Sequence, residues 1–135
     1  MLGDFQEQSS GKKWDEKNPV VMEKIGDGLY KATVTTVAAT SYFKFFRAYD
    51  TTNPNWDVDI NPGELGTVID GDLATENFLV WRNDPSCAAV KSPAISGINE
   101  YIVTLDMINM TFKVAIKTYD LFMTCLLYTS PSPRD

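Results

Sequence analysis

Alternation of apolar and polar side chains with a two-residue period is the dominant pattern along this chain. Its densest example is Tyr42–Tyr49, in which Phe43 and Phe45 alternate with Lys44 and Phe46. In an extended strand successive side chains point to opposite faces, and aromatic residues favour the half-buried surface of a sheet. We therefore predict a central strand with Phe43 and Phe45 in the core and the cationic face toward solvent.

The same period recurs in other segments, and turn signals separate them. Leu29–Val37 follows a turn at Gly26-Asp27-Gly28, and a closing hairpin pairs Tyr101–Leu105 with Met110–Ile116. Shorter strands are predicted at Met1–Phe5, Val20–Met22, Thr67–Ile69 and Phe78–Trp81, and a long loop at Asn83–Ser96. Helical spacing is weak throughout. Many short strands with turns between them predict an all-β fold, an antiparallel sandwich of two sheets.

Composition excludes several classes of function. The 135 residues suit one domain, and their net charge of −6 offers no basic patch for nucleic acid. Without histidine the chain lacks the usual general base and the common zinc ligand. No apolar run approaches the about 20 residues of a membrane-spanning helix. The start, Met1–Phe5, does not have the pattern of a signal peptide, so we expect either a cytoplasmic protein or a sequence that begins inside a longer one.

The last eleven residues differ in character from the rest. Cys125–Asp135 resembles, residue by residue, one translated frame of a sequencing adapter, and we expect it to lie outside the folded domain. The predicted organisation is a domain over 1–118, the possible start of a following domain at 119–124, and the adapter-like tail. Cys87 then remains as a single thiol, which supports no internal disulfide and has no histidine to activate it.

No metal site, cofactor or catalytic centre is predicted. Asp57–Asn61 resembles the start of a calcium loop, but Pro62 stands where that loop needs glycine and Val68 where it needs glutamate. A hydrated acidic loop is therefore the better interpretation. The 18 acidic residues leave a two-carboxylate hydrolase open, because only their separation in space decides such a mechanism.

The order of several short motifs resembles the repeating domains of SusE/SusF-type proteins. The resemblance covers Leu2 to Lys117. Its motifs are Leu2-Gly3-Asp4-Phe5, Trp14-Asp15, Gly26-Asp27-Gly28-Leu29-Tyr30, Phe43-Lys44-Phe45, Trp56, Trp81, Asn99-Glu100-Tyr101 and Phe112-Lys113-Val114.

This resemblance implies a non-catalytic, immunoglobulin-like, carbohydrate-binding β-sandwich domain of a surface lipoprotein in a starch- or glycan-uptake system. Such a protein is held on the outer membrane by an N-terminal lipid anchor, which with its signal is absent from this sequence. The implied partners are an oligo- or polysaccharide, with an α-glucan favoured, and an outer-membrane glycan transporter complex. Membrane attachment is expected only through the lipid.

Three tryptophans beside polar residues are the candidate sugar contacts. An indole ring matches the flat C–H face of a sugar and excludes water from it. We predict that neighbouring polar side chains orient the ligand by hydrogen bonding. The predicted carbohydrate-binding residues are Trp56, Trp81, Trp14, Lys44, Arg47, Asp57, Arg82 and Asn83. The alternative is that one or two of the tryptophans belong to the core, as is common in sandwiches.

Three hypotheses follow: a starch-binding domain, a structural spacer of the same fold that binds no sugar, and an enzyme or accessory domain of one. Burial of all three indoles would favour the spacer. A chain this short leaves little room for both a sandwich core and a deep catalytic cleft, so we favour a non-enzyme.

Overall fold

A computed structural model describes residues 1–71, 77–85, 87 and 89–117 of the chain. The predicted start of a following domain at 119–124 and the adapter-like tail at 125–135 lie outside these residues. Most of the regular secondary structure in the described part consists of antiparallel strands, which form two sheets of five. This confirms the prediction of an all-β, immunoglobulin-like antiparallel sandwich at the level of its layers.

The first sheet has the order β1-β4-β5-β7, and β8 pairs with the other end of β4. Its strands are β1 (Leu2–Gly3), β4 (Thr40–Phe46), β5 (Glu64–Gly66), β7 (Val80–Trp81) and β8 (Ala94–Ser96). The second sheet has the order β2-β3-β9-β10-β6. Its strands are β2 (Glu23–Gly26), β3 (Leu29–Thr35), β6 (Asn77–Phe78), β9 (Glu100–Asp106) and β10 (Thr111–Ile116).

The register of the second sheet confirms the predicted hairpins. Ala32 of β3 pairs with Val103 of β9, which in turn pairs with Val114 of β10. In the turn between β2 and β3, Gly28 adopts a φ of 69°, and a Cβ there would lie 2.8 Å from a side-chain carbon of Ile108. Both the backbone conformation and the available space therefore favour glycine at this position.

Three phenylalanine rings join the two sheets in the core. Phe43 and Phe45 of β4 meet Phe112 of β10, with ring centroids 5.6–5.8 Å apart in edge-to-face arrangements. All three side chains are almost completely buried. The predicted alternation along β4 is thus confirmed, because its odd-numbered aromatic residues face the second sheet. The expectation that its cationic face points to solvent is wrong for Lys44, whose side chain is only 15% exposed.

The opposite face of the first sheet, which carries Tyr42, Lys44 and Phe46, is called the outer face below. Leu2 of β1 pairs with Lys44, so its side chain also points to this face. Leu2 is nevertheless fully buried and lies outside the core cluster. The outer face is therefore partly covered by chain segments, among them the N-terminal segment with helix α1 (Gln6–Ser10).

Several boundaries differ from the sequence prediction. The predicted strand Thr67–Ile69 is wrong, because β5 ends at Gly66 and only Thr67 forms an isolated bridge. The predicted strand at Val20–Met22 is wrong, because β2 begins only at Glu23 and the apolar residues before it pack irregularly against the core. The predicted strand Phe78–Trp81 is split between the two sheets, with buried Leu79 at the crossing. Part of the predicted loop, Ala94–Ser96, pairs with β4.

Replacing Phe43 with alanine should destabilise the fold by about 3–5 kcal/mol, because it leaves a cavity at the centre of the aromatic contact between the sheets. Urea unfolding followed by circular dichroism would measure this loss. Phe78→Ala is the matched control, since the side chain of Phe78 is 65% exposed. Its effect should stay within about 0.5 kcal/mol. Equal losses in both variants would contradict the assignment of the core.

Candidate functional site

The three tryptophans are all half-buried, but they do not lie on one surface. Trp14 and Trp56 lie on the side of the outer face, and their indole nitrogens donate to carboxylates of the N-terminal segment, Asp4 and Glu16. Trp81 lies in β7 directly opposite the core residue Leu65, so it points toward the second sheet. The structure therefore separates one member of the predicted stacking set from the other two.

Trp14 is linked through the Asp4 carboxylate to the backbone of Tyr42 in β4. Its Nε1 donates to Asp4 Oδ1 at 2.8 Å, while Asp4 Oδ2 accepts from the Tyr42 backbone N–H at 2.9 Å. The Trp14 backbone N–H also donates to the Gly3 carbonyl at 3.0 Å. Its φ of 52° lies in the left-handed region, which is uncommon for a residue this large. Contacts on both the backbone and the indole thus fix the ring at this position.

Trp56 is held at the other end of β4, beside Phe46. It begins a π-helical turn (Trp56–Ile60), and the Asn55 side chain caps this turn by accepting from the next backbone N–H groups. The Phe46 and Trp56 rings meet edge-to-face, with centroids 6.0 Å apart. Trp56 Nε1 donates to Glu16 Oε2 at 2.8 Å. Exposed Asp57 follows directly in the turn.

A buried glutamine brings the segment that carries Trp14 and Glu16 against the outer face. Gln6 is fully buried, and its side-chain oxygen accepts from the Gly3 backbone N–H at 2.9 Å. Its side-chain nitrogen donates to the Asp15 and Asn18 carbonyls at 3.0 and 2.8 Å. One side chain therefore ties β1 to both ends of the 15–18 loop, and a buried amide that is fully bonded holds its geometry firmly.

Glu16 contacts three side chains near Trp56: the Trp56 indole, Lys12 and Tyr49. Its carboxylate forms an ion pair with Lys12. The hydrogen bond from Lys12, and after it the one from Trp56, lower the pKa of Glu16 below its ordinary value. The Tyr49 hydroxyl donates to the Glu16 carbonyl at 2.8 Å. Burial, assisted by the negative charges of Glu16 and Asp15, raises the pKa of Tyr49 to about 12.

Lys44 and Arg82 share one buried carboxylate on the outer face. Lys44 Nζ lies 2.7 Å from Glu64 Oε2, and an Arg82 guanidinium nitrogen lies 3.1 Å from Glu64 Oε1. The Glu64 and Lys44 side chains are only 9% and 15% exposed, whereas that of Arg82 is 44% exposed. Glu64 pairs with Phe46 in the sheet, and Arg82 binds Glu64 from the next strand, so Arg82 lies one strand farther from Trp56. The remaining N–H donors of its guanidinium are available to a ligand.

Trp81 and Arg47 form a separate pair on the inner side of the sheet. The Arg47 guanidinium carbon lies 4.6 Å from the centroid of the Trp81 ring, a cation–π contact. Both residues line a groove between the sheets rather than the outer face. Asn83 is exposed in the turn after β7 with a φ of 69°.

The predicted residues thus fall into distinct groups. Trp14, Trp56, Lys44 and Arg82 belong to the outer face, and Asp57 adjoins Trp56. Several positioning residues were missed by sequence reasoning: Asp4, Gln6, Glu16, Phe46 and Glu64. The period of β4 places Phe46 beside Lys44, but no sequence pattern pairs Glu16 with a tryptophan 40 positions away.

The described part of the chain contains no cluster of three or more residues able to hold a metal ion. It also contains no helix that is both long and apolar enough to cross a membrane. Among known proteins, the family model described as SusF, first starch specific CBM (carbohydrate-binding module), matches residues 1–116. Neither the search of curated proteins nor the search of solved structures returned a match.

The hydrogen bond between Trp56 and Glu16 should break only in acid. The pKa of Glu16 is lowered in the folded protein, so the stabilisation that this pair contributes is complete above the ordinary pKa of 4.5 and is lost as the pH falls through the lower, folded value. In ¹H–¹⁵N NMR spectra, the Trp56 indole resonance should stay constant down to pH 4.5 and move below it.

The control for this titration is Glu16→Gln, which keeps an acceptor but cannot titrate. Its Trp56 resonance should lose the acid transition. A transition that persists in the glutamine variant would show that another group controls the indole.

Proposed function

Since this chain belongs to the family of the first starch-specific carbohydrate-binding module of SusF, we propose that it binds starch or a related α-glucan through the outer face of its first sheet. Trp56 and Trp14 supply the stacking surfaces. Arg82 and Asp57 supply hydrogen bonds to hydroxyl groups. The protein acts by binding alone and catalyses no reaction.

The observation that carries this proposal is the fixation of two half-buried indoles on one face. Each N–H donates to a carboxylate at 2.8 Å, so neither ring has to be ordered when a ligand arrives. Immobilising a free side chain on binding costs about 0.5–1.5 kcal/mol, and rings already fixed avoid most of that cost. Trp14 is linked through Asp4 to Tyr42, and Trp56 contacts Phe46; these two strand residues are about 13 Å apart, at about 3.3 Å per residue.

The charges of the outer face suit a neutral ligand. Glu64 is bonded to Lys44 and Arg82, and Glu16 is paired with Lys12, so the cations and anions largely compensate one another locally. A neutral polysaccharide gains no binding energy from a strong electrostatic field. It needs hydrogen-bond donors and acceptors in fixed positions instead. Arg82 offers such donors because its guanidinium has five N–H groups and its side chain is 44% exposed.

The setting that we propose is the surface of the outer membrane, in a lipid-anchored protein that captures glycans for a transporter complex. Several weak sites on one tethered protein would raise the effective affinity for a long polysaccharide, because each further contact becomes intramolecular. The anchor and the transporter are parts of this proposal that rest on the family alone.

A structural spacer is the second candidate. Both outer-face indole N–H groups are already used inside the protein, so these rings offer a sugar their carbon faces but no hydrogen bond. If those faces are too small to hold a ligand, the same contacts serve only to close the N-terminal segment over the sheet.

Truncation of either outer-face tryptophan should weaken binding to soluble starch about tenfold, because a stacked ring contributes on the order of 1 kcal/mol beyond its buried area. Affinity electrophoresis in starch-containing gels would compare Trp56→Ala and Trp14→Ala with the parent chain. Phe78→Ala is the matched control, since it removes an exposed ring from the second sheet. Its mobility should remain that of the parent.

Three results would contradict parts of the proposal. A parent chain that starch does not retard would favour the spacer. Retardation unchanged in both tryptophan variants would remove the site from the outer face. Release of reducing sugar from starch by the purified chain would overturn the assignment as a non-enzyme.

A further inference from the structure

An apolar groove opens between the two sheets at the end where β4 finishes. Its volume is about 430 Å³, which falls within the range of small-molecule sites. The proposed glycan contacts Trp14, Trp56, Asp57 and Arg82 do not line this groove, although Phe46, which contacts Trp56, does. Among the residues that line it are Val20, Met22, Leu65, Trp81, Leu105 and Met107.

Arg47 is the one cationic side chain that lines this groove, and the residue is exposed to solvent at the groove's rim. Arg47 follows β4 directly, and its backbone N–H donates to the Gly63 carbonyl at 3.1 Å. The two backbones are so close that a Cβ on Gly63 would lie 2.9 Å from the Arg47 Cβ. This close approach fixes the position of the Arg47 Cβ, and the contact with the Trp81 ring fixes the position of its guanidinium.

The Arg47 guanidinium carbon lies over the Trp81 ring. The contact with the ring uses none of the five N–H donors that a guanidinium carries in its plane as conventional hydrogen bonds. Within the described ranges, no carboxylate forms an ion pair with Arg47 and no acceptor binds its guanidinium. A planar fork of donors without a partner therefore lies beside the apolar groove.

We propose that this groove binds a medium-chain fatty acid. The alkyl chain lies between the sheets, and the carboxylate accepts two hydrogen bonds from Arg47. The fork geometry of a guanidinium matches a carboxylate, which is why such pairs are frequently bidentate. Most of the lining side chains are apolar, and polar groups come only from Tyr30, Arg47, Tyr49, Thr51 and Trp81, so the wall suits an alkyl chain better than the many hydroxyl groups of a sugar.

Titration with decanoate, monitored through ¹³C-labelled methionine methyl groups, tests this site. The Met22 and Met107 methyl resonances should shift saturably, since both residues line the groove. Met110 is the internal control, because it packs against the core without lining the groove and should not move. Decanol should bind at least about tenfold more weakly than decanoate, as expected for a lost charge-assisted hydrogen bond.

Two variants isolate the role of the cation. Arg47→Gln should weaken decanoate binding about tenfold or more and leave decanol binding unchanged. Arg47→Lys should fall between the parent and Arg47→Gln, because lysine keeps the charge but not the fork. Absence of any shift at Met22 and Met107, or equal binding of decanoate and decanol, would overturn the proposal.

Self-association must be measured in the same samples. If sedimentation shows a concentration-dependent dimer that shifts the Met22 and Met107 resonances without decanoate, the groove is an interface between copies and the fatty-acid site is refuted. None of these measurements includes a glycan, so their outcome is independent of whether the outer face binds starch.

Discussion

The strict alternation of side chains along β4 is the constraint on which the remaining structure depends. Phe43 and Phe45 close the core against Phe112, while Lys44 and Phe46 form the outer face. Because the side-chain period of a strand is two, a shift by one residue would bury a lysine in the core and expose two phenylalanines. Both faces are occupied by specific contacts, and these contacts specify the register of the central strand.

Ion pairs, rather than apolar contacts alone, fix the side-chain arrangement of the outer face. Glu64 is almost buried between Lys44 and Arg82, and removing one member of such a group leaves an uncompensated charge. Buried ion pairs of this kind add little net stability compared with apolar replacements, but they accept few alternative arrangements. We infer that this group serves mainly to hold the guanidinium of Arg82 in place on the outer face.

The sequence predicted those strands and turns that are encoded by the pattern of neighbouring residues. The two-residue period predicted β3, β4 and the β9–β10 hairpin, and glycine predicted the turn before β3. It did not predict that the segment Asn77–Trp81 crosses between sheets, because periodicity says nothing about which neighbour a strand finds. The sides on which Trp56 and Trp81 lie depend on pairings with distant residues, Glu16 and Leu65, that no local pattern encodes.

The end of β4 connects the two candidate sites through consecutive residues. Phe46 contacts Trp56 on the outer face, and the next residue, Arg47, stacks on Trp81 at the inner groove. Adjacent side chains of an extended backbone necessarily diverge, so a single strand end can furnish one contact to each surface. The Arg47 backbone is in turn bonded to Gly63, next to the strand residue that holds Arg82. A displacement of this strand end would therefore disturb the aromatic contact on the outer face and the position of the guanidinium at the groove together.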